Sequence, residues 1–368
     1  MKNKILMVAF IFSCWACLSD GQSQVAVDYR SPVSVRAEVL LEGLRDPWAV
    51  VSAPDGGLYI TEARGQIYKY GQGQLSQPLR RVPRVTHSGQ GGLLDFVFHP
   101  QFDHNKWIYL SYSVGPFHNM RTRVTRFTLD DDELKNPVIL VEGGKGSDGA
   151  HFGSRLVFGK DGKLYVTIGE RHQKELAQHL GYLNGKVLRL NDDGTVPNDN
   201  PFVGVRGARP EIYSYGHRNP QGIDVHPVSG LIFITEHGPT GYDAPGGGDE
   251  INVIEKGGNY GWPVIHHQLT HPDMKSPLVE YTPAVAPSGA SFYLGDIIPE
   301  WENDFLFATL RGAALYRLKI DGKNVVEHEV LFEGEFGRLR DVASGKDGYL
   351  YVISEGGELI RIGPTAAS

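Results

Sequence analysis

The sequence predicts an all-β fold, a six-bladed β-propeller with four-stranded antiparallel blades and long loops at one end of the central channel. Two observations support this prediction. One strand pattern recurs six times along the 368 residues, and the chain has 46 glycines but only four methionines. Aromatic and β-branched residues favour strands, and glycine-containing turns join such strands into hairpins. The length suits a single domain built from repeats.

The repeated strand is a four-residue, mainly apolar run that several copies enter through an Asp-Gly turn. The copies begin at Leu58, Ile108, Leu164, Ile232, Leu306 and Leu350. Their spacing of 44 to 74 residues fits blades that recur about every 40–50 residues, with loop insertions that lengthen some of them. A β-sandwich is the alternative, but it would not explain one strand type that returns along the whole chain.

Other segments predict how the repeats continue. Gly65 to Tyr70 and Gly357 to Ile362 each have the pattern of the next strand of a blade. The leucine spacing within Lys174 to Tyr182 predicts a short helix on a loop. The stretches 168–231 and 236–305 are the longest and most polar between repeats. We expect their loops to gather at one end of the channel and to bind a ligand there.

Residues 1–23 are predicted to form a secretory signal, which leaves 24–368 as one propeller domain. Two lysines precede the apolar run Ile5 to Ala16, which is too short to span a bilayer. A buried N-terminal helix is one alternative. A lipoprotein signal that ends before Cys17 is another, and it would anchor the chain through that cysteine. We expect a periplasmic or secreted protein without a transmembrane segment.

The composition narrows the function classes. The net charge is −7, and no cluster of lysine and arginine provides the phosphate contacts that nucleic-acid binding needs, so no nucleic-acid partner is expected. Both cysteines, Cys14 and Cys17, lie within or beside the signal. The mature chain is therefore expected to have neither a disulfide nor a thiol nucleophile.

Two loops contain groups that suit a ligand. Arg218, Asn219 and Gln221 lie together in one loop, and their donors suit a planar ligand rich in oxygen atoms. The alternative is a structural loop in which Arg218 pairs with a carboxylate. Gly238 and Pro239 expose main-chain carbonyls shortly before an acidic residue, which favours a hard cation such as calcium. The spacing is not that of an EF-hand, and no histidine spacing indicates zinc.

A possible acid–base pair flanks the third repeat strand. His151 precedes the hairpin and Glu170 follows it, so the two side chains can meet across the strand pair. A carboxylate bonded to one ring nitrogen leaves the other nitrogen free to accept a proton. Arg338 and Arg340 share one face if that segment is extended. With Arg311 they offer cations to an anionic ligand, although a solvated edge strand is the alternative.

From about residue 38 to 363 the chain resembles the soluble, periplasmic sugar dehydrogenases that depend on pyrroloquinoline quinone (PQQ), and above all the bacterial aldose sugar dehydrogenases. Many ordered blocks carry the resemblance. They are residues 88–95, 151–153, 200–202, 215–222, 237–239, 259–263 and 338–341.

The resemblance implies a role for each matching residue. It makes His151 the base that takes the proton of the anomeric hydroxyl, Glu170 the group that orients this base, and Arg218 a stabiliser of charge on the quinone oxygen. The residues implied to hold the quinone are Gln90, Arg218, Asn219, Gln221, Arg338 and Arg340, with Arg311 where relatives often have lysine. Calcium beneath the quinone would bind the carbonyls of Gly238 and Pro239. A second calcium would bind Glu250 and the carbonyl of Tyr260.

The implied reaction is oxidation of an aldose sugar to its lactone, with a quinone or a cytochrome as the onward electron acceptor and a monomeric or dimeric protein. The chain departs from the family at Ala150 and by an insertion from Thr240 to Pro245, so the sugar is not predicted. A calcium-dependent lactonase and a non-catalytic binding propeller are the alternatives, because the fold alone does not decide function.

Overall fold

The computed structural model describes residues 33–146 and 149–365, which form six four-stranded antiparallel sheets. Blade 1 consists of β2 (Pro47–Ser52), β3 (Leu58–Glu62), β4 (Gln66–Gly71) and β5 (Gln74–Leu75). Blade 2 consists of β6 (Leu93–Phe98), β7 (Trp107–Val114), β8 (Met120–Asp130) and β9 (Glu133–Gly146). Blade 3 consists of β10 (Gly153–Phe158), β11 (Leu164–Ile168), β12 (Lys186–Leu190) and β13 (Ile212–Tyr215).

The remaining blades follow the same order. Blade 4 consists of β14 (Pro220–Val225), β15 (Ile232–Glu236), β16 (Asp249–Ile254) and β17 (Val279–Tyr281). Blade 5 consists of β18 (Pro287–Phe292), β19 (Phe305–Thr309), β20 (Leu315–Asp321) and β21 (Asn324–Leu331). Blade 6 consists of β22 (Leu339–Ser344), β23 (Leu350–Ser354), β24 (Leu359–Pro364) and β1 (Val35–Leu41). The predicted six-bladed propeller is confirmed.

Helix is scarce among the described residues. One α-helical turn, α1 (Phe102–Asn105), and the 3₁₀ helices Phe117–Asn119, Lys174–Gln178 and Pro299–Trp301 lie in loops. The helix predicted from Lys174 is therefore present, as a 3₁₀ helix that ends earlier than expected. None of the described helices is long and apolar enough to cross a membrane. The predicted signal and the cysteines lie outside the described residues.

The repeat found in the sequence is the second strand of every blade, namely β3, β7, β11, β15, β19 and β23. Almost every residue of these strands is buried. Each blade packs between two others, so both faces of its second strand are covered. This explains why the strands have continuous apolar runs instead of an alternating pattern. The partner strands predicted from Gly65 and Gly357 are also present, as β4 and β24.

A hydroxyl side chain of the second strand links each of four blades to the next one. Each hydroxyl donates to a main-chain carbonyl in or beside the first strand of the following blade, and all four are fully buried. The bonds are Thr61 to Leu94 at 2.7 Å, Ser111 to Ser154 at 2.5 Å, Thr167 to Pro220 at 3.3 Å and Thr235 to Ser288 at 2.7 Å. These four hydroxyls thus form contacts between blades.

The ring closes through the N-terminal strand. β1 pairs antiparallel with β24, from Val35 opposite Pro364 to Leu41 opposite Leu359. Blade 6 therefore combines one strand from the start of the chain with three from its end. This pairing joins the two ends of the described chain in one sheet and covers the edge of β24.

Candidate active site

The topology brings most of the predicted site residues to one end of the propeller. The first and second strands of a blade are antiparallel, so the start of one and the end of the other lie at the same end. Gln90, His151, Arg218 and Arg338 come just before first strands, and Glu170 comes just after a second strand. Residues far apart in the chain therefore lie around one opening.

Two long loops, 169–185 and 237–248, also lie at this end, because they follow the second strands β11 and β15. The loop 191–211 instead begins where β12 ends, which is the opposite end of blade 3. The stretches 168–231 and 236–305 thus contain strands as well as loops, and only part of each contributes to the opening.

His151 and Glu170 meet as the sequence predicts. Nδ1 of His151 contacts Oε1 of Glu170 in a short hydrogen bond, and both residues are buried. Burial lowers the pKa of His151 well below its ordinary value, and the positive charge of Arg218 adds to this effect. Burial raises the pKa of Glu170 to about 7. When Glu170 is ionised, it holds the proton of His151 on Nδ1 and leaves Nε2 as the proton acceptor.

The base has two further neighbours. The side-chain oxygen of Gln90 accepts a hydrogen bond of 2.9 Å from the main-chain N–H of His151. The ring of His172 contacts the ring of His151 edge-on, with 4.1 Å between the centroids. Both histidines have positive φ angles, 51° for His151 and 54° for His172. The sequence did not identify His172, because nothing in its segment resembles a motif.

Arg218 is almost completely buried, with 2% of its side chain exposed. Its Nε lies 3.1 Å from Oδ2 of Asp243, and its Nη1 donates to the carbonyl of His237 at 3.3 Å. The guanidinium also lies over the ring of Trp262, 5.4 Å from the centroid. The sequence-based alternative, an arginine paired with a carboxylate, is therefore present, and the carboxylate comes from the insertion.

The two amides beside Arg218 brace neighbouring blades. The side-chain oxygen of Asn219 accepts bonds from the main-chain N–H of Gly153 at 3.2 Å and from Nε2 of Gln221 at 3.1 Å. Gln221 also donates to the carbonyl of Gly153 at 3.3 Å. Both amides are buried. In this arrangement they fix the segment that follows His151.

The predicted arginines on the other side of the channel differ from one another. Arg338 and Arg340 each contact one oxygen of Glu355 in short ion pairs. Although burial acts in the opposite direction, Arg340 and Arg338 hold the pKa of Glu355 below its ordinary value. The side chain of Arg311 is exposed, and no hydrogen bond or ion pair links it to the other predicted site residues in the described part of the chain.

The loop at Gly238 has room for main-chain groups only. A Cβ placed on Gly238 would lie 2.2 Å from the carbonyl oxygen of Gly248, so a side chain cannot be accommodated. Asp249 accepts the N–H of Gly238 at 2.8 Å, and the carbonyl of Pro239 accepts the N–H of Gly247 at a long 3.3 Å. A carbonyl so weakly bonded is available to a cation, which fits the chemistry of calcium.

Glu250 belongs to a row of carboxylates that the sequence did not reveal. Strand register places it directly opposite both Glu236 and Glu280. Burial raises the pKa of Glu250 well above its ordinary value, and the charge of Glu236 adds to this effect. Oδ1 of the adjacent Asn252 is buried and has no hydrogen-bond partner among the described residues. A cation here would relieve the cost of these groups.

Tyr260 stacks on His217 with 4.7 Å between the ring centroids, and it makes no hydrogen bond to Glu250 among the described residues. The same part of the chain contains no cluster of three or more His, Cys, Asp or Glu side chains that could hold a metal by side chains alone. Any calcium would therefore depend on main-chain carbonyls.

Two polar atoms near Arg218 are buried without a partner in the structure. They are Nε2 of His237 and Nε1 of Trp262. Burial lowers the pKa of His237 to about 4, so its ring is neutral. Native proteins rarely leave such groups unsatisfied, and the usual reason is a bound ligand, ion or water. Both atoms, together with the arginines, fit a polyanionic cofactor rich in oxygen.

Comparison with known proteins gives consistent results. The model of the family described as glucose/sorbosone dehydrogenase matches residues 44–361. The aldose sugar dehydrogenase YliI of Escherichia coli is 39% identical over 359 residues, which is 91% of this chain and 95% of the relative. Quinoprotein glucose dehydrogenase B of Acinetobacter calcoaceticus is 32% identical, over 86% of this chain and 85% of the relative.

A solved structure shows the same architecture. The PQQ-bound form of an aldose sugar dehydrogenase from Streptomyces coelicolor superimposes with a TM-score of 0.77 at 28% identity. The match covers 90% of this chain and 99% of that chain.

Proposed function

The chain belongs to the glucose/sorbosone dehydrogenase family, a family of oxidoreductases acting on sugars, and we propose that it oxidises aldose sugars at the anomeric carbon to lactones with PQQ and calcium. The observation that carries this proposal is the buried His151–Glu170 pair beside Arg218 at the opening of the channel. The PQQ-bound relative and the quinoprotein relative support the choice of cofactor.

Oxidation of a cyclic hemiacetal to a lactone removes one proton from the anomeric hydroxyl and one hydride from the anomeric carbon. When bound, PQQ would supply the hydride acceptor and calcium would supply Lewis acidity. Nε2 of His151 takes the proton, because Glu170 holds the other ring nitrogen in its protonated form. A low pKa keeps His151 neutral, and hence ready to accept a proton, before the sugar arrives.

Arg218 supports the reaction through its charge. Its guanidinium is rigid, permanently charged and removed from water, so it stabilises negative charge that develops next to it without having to reorganise. The same charge lowers the pKa of both His151 and Glu170. By lowering the pKa of Glu170 it favours the ionised carboxylate that orients the base.

We assign the cofactor-holding roles to Gln90, Arg218, Asn219, Gln221, Arg311, Arg338 and Arg340. PQQ has three carboxylates, and arginine pairs with carboxylates through charge-assisted hydrogen bonds. Arg338 and Arg340 already bind one carboxylate, that of Glu355. Gly238 and Pro239 would hold the calcium next to the quinone. Glu250 and the carbonyl of Tyr260 would hold a second calcium. Glu280 lies opposite Glu250 and would add a further carboxylate to this second site.

Reconstitution tests the proposal. The purified protein is loaded with PQQ in the presence of calcium, and reduction of a dye is followed with a panel of mono- and disaccharides. We expect sugar-dependent reduction that requires both PQQ and calcium and yields the lactone. A protein that binds PQQ but reduces the dye with none of the sugars would refute the proposal.

A further inference from the structure

The insertion from Thr240 to Pro245 places a carboxylate on the predicted catalytic arginine. Oδ2 of Asp243 lies 3.1 Å from Nε of Arg218, and Oδ1 accepts the main-chain N–H of Thr240 at 3.2 Å. The side chain of Asp243 is 22% exposed and that of Arg218 is 2% exposed. Both oxygens of the carboxylate are thus held, one by its own loop and one by the arginine.

The remaining contacts of Arg218 show what this ion pair does. The main-chain N–H of Arg218 bonds Glu236, and Nη1 reaches only the carbonyl of His237, at a long 3.3 Å. A guanidinium offers five N–H donors in a rigid planar fork, so fixing Nε fixes the direction of all the others. Asp243 makes the only ion pair of the guanidinium among the described residues.

The loop that carries Asp243 is anchored just before β16. The N–H of Gly248 donates to Oγ1 of Thr282 at 2.9 Å, and Nε2 of His267 lies 3.5 Å from the carbonyl oxygen of Gly246. The neighbouring Tyr242 is 99% exposed, so its ring contributes no contact to the site. Within the insertion, Asp243 is therefore the residue that contacts Arg218.

We propose that Asp243 is a positioning residue that holds the Arg218 guanidinium in its working orientation. The proposal rests on the proposed function for the role of Arg218 towards the quinone and the sugar. An unrestrained arginine side chain loses rotamer entropy when it is ordered. The ion pair makes this ordering part of folding, so that no ordering is needed when the quinone binds.

Asp243 also contributes to the charge around the base. The charged and titratable groups that act on His151 are Glu170, Arg218, His172, His237 and Asp243. The negative charge of Asp243 raises the pKa of His151, opposing the effects of burial and Arg218. Neutralising Asp243 is therefore expected to lower the pKa of His151 further.

Three variants of the full chain separate these effects. Asp243→Ala removes both the charge and the acceptor, whereas Asp243→Asn keeps an acceptor oxygen. Tyr242→Ala changes the same loop at an exposed ring and serves as the matched control. The measurements are hydrogen exchange of the Arg218 Nε–H by nitrogen-15 NMR in the quinone-free protein, the Kd for PQQ with calcium present, and the pH titration of the His151 ring by NMR.

For Asp243→Ala we expect Nε–H exchange of Arg218 to accelerate and PQQ affinity to weaken, each about tenfold, as the loss of one charged hydrogen bond implies. Asp243→Asn should show smaller changes in both but the same lowering of the His151 pKa. Tyr242→Ala should match the wild type in exchange and in PQQ affinity.

Wild-type exchange and affinity in Asp243→Ala would overturn the proposal, and so would tighter PQQ binding, because the carboxylate would then be a competitor of the quinone. If Asp243→Ala fails to fold, the proposal is tested by Nε–H exchange of Arg218 in the nearly isosteric variant Asp243→Asn. Nε–H exchange is measured without quinone and does not depend on turnover. A protein that oxidises no sugar would therefore refute the proposed function, while the exchange measurement would still test the positioning role of Asp243.

Discussion

Two buried arginines of this propeller have opposite surroundings. Arg317, in β20 of blade 5, is 1% exposed and makes ion pairs with Asp304, Glu327 and Glu329, the last two at 2.9 and 2.8 Å. Arg218, at the channel opening, is 2% exposed and has one ion pair and one long bond to a carbonyl. Burial alone therefore does not distinguish the two.

The difference lies in unused hydrogen-bonding capacity. Three carboxylates surround Arg317, and its role is to tie together strands of one blade. Arg218 keeps donors that no described residue satisfies, close to His237 and Trp262, which have buried unsatisfied atoms of their own. Burying a charge costs several kcal/mol unless partners compensate it. A buried arginine with spare donors thus indicates a ligand, whereas one surrounded by carboxylates indicates structure.

The largest expected effect is the loss of turnover when His151, the proposed base, is replaced. His151→Asn removes the proton acceptor but preserves a polar side chain near Glu170, so turnover should fall about 10³-fold or more, as loss of a general base does. PQQ affinity and the thermal unfolding midpoint should change little. Steady-state kinetics of the PQQ-loaded variant measure this, and retention of a tenth of wild-type turnover would show that another group is the base.

Replacement of Arg317 should lower the stability of the protein and leave its activity unchanged. Arg317→Met leaves three carboxylates without their cation, so the free energy of unfolding should fall by about 3–5 kcal/mol. The kcat/KM of the folded variant should equal that of the wild type. Urea denaturation measures the free energy of unfolding, and kinetics at low temperature measure kcat/KM. A large loss of kcat/KM without loss of stability would contradict the structural role of Arg317.

Arg218→Lys keeps the charge but loses the planar fork. We expect kcat to fall about a hundredfold, comparable with removal of one preorganised donor, while the free energy of unfolding changes less than in Arg317→Met. Parallel kinetics and denaturation of the two variants provide the comparison. Equal destabilisation in both variants would mean that Arg218 is as structural as Arg317.

The smallest effect expected is on pH dependence. Since burial raises the pKa of Glu170 to about 7, its protonation below that pH removes the tautomer of His151 that accepts a proton on Nε2. The kcat/KM should therefore decrease about tenfold per pH unit on the acid side. Profiles of the loaded enzyme measure it, and a flat profile between pH 5 and 8 would contradict the assignment.

The same group has the opposite effect on stability. Glu170 is protonated more readily in the folded protein than at its ordinary pKa of 4.5, so the folded state binds more protons between these two values. Its contribution to the free energy of unfolding therefore falls as the pH rises from about 4.5 to 7. Activity and stability should thus change in opposite directions over this range.

Several parts of the site could be predicted because short sequence distances bring the residues together. His151 and Glu170 flank one hairpin, β10 and β11, and an antiparallel hairpin returns its ends to the same place. The arginines 338 and 340 share a face through strand alternation. Neither prediction needs knowledge of how the blades are arranged.

Other contacts depend on the arrangement of distant or irregular segments. Asp243 meets Arg218 through the path of a loop, and no local pattern specifies that path. Glu280 lies beside Glu250 because of the register of β16 and β17, which are separated by a long loop. Sequence motifs therefore missed both. Glu355 is a different case, because it meets Arg338 and Arg340 across the single hairpin of β22 and β23, where β22 begins and β23 ends.

The sequence by itself determined the number of blades and the family of the chain. A strand buried on both faces must be apolar along its whole length, so six such strands are visible as a repeat. Only the tertiary structure decided that β1 completes blade 6 and that Asp243 pairs with Arg218. Both depend on contacts between segments far apart or without regular structure, and such contacts are set by the closure of the ring and the packing of its loops.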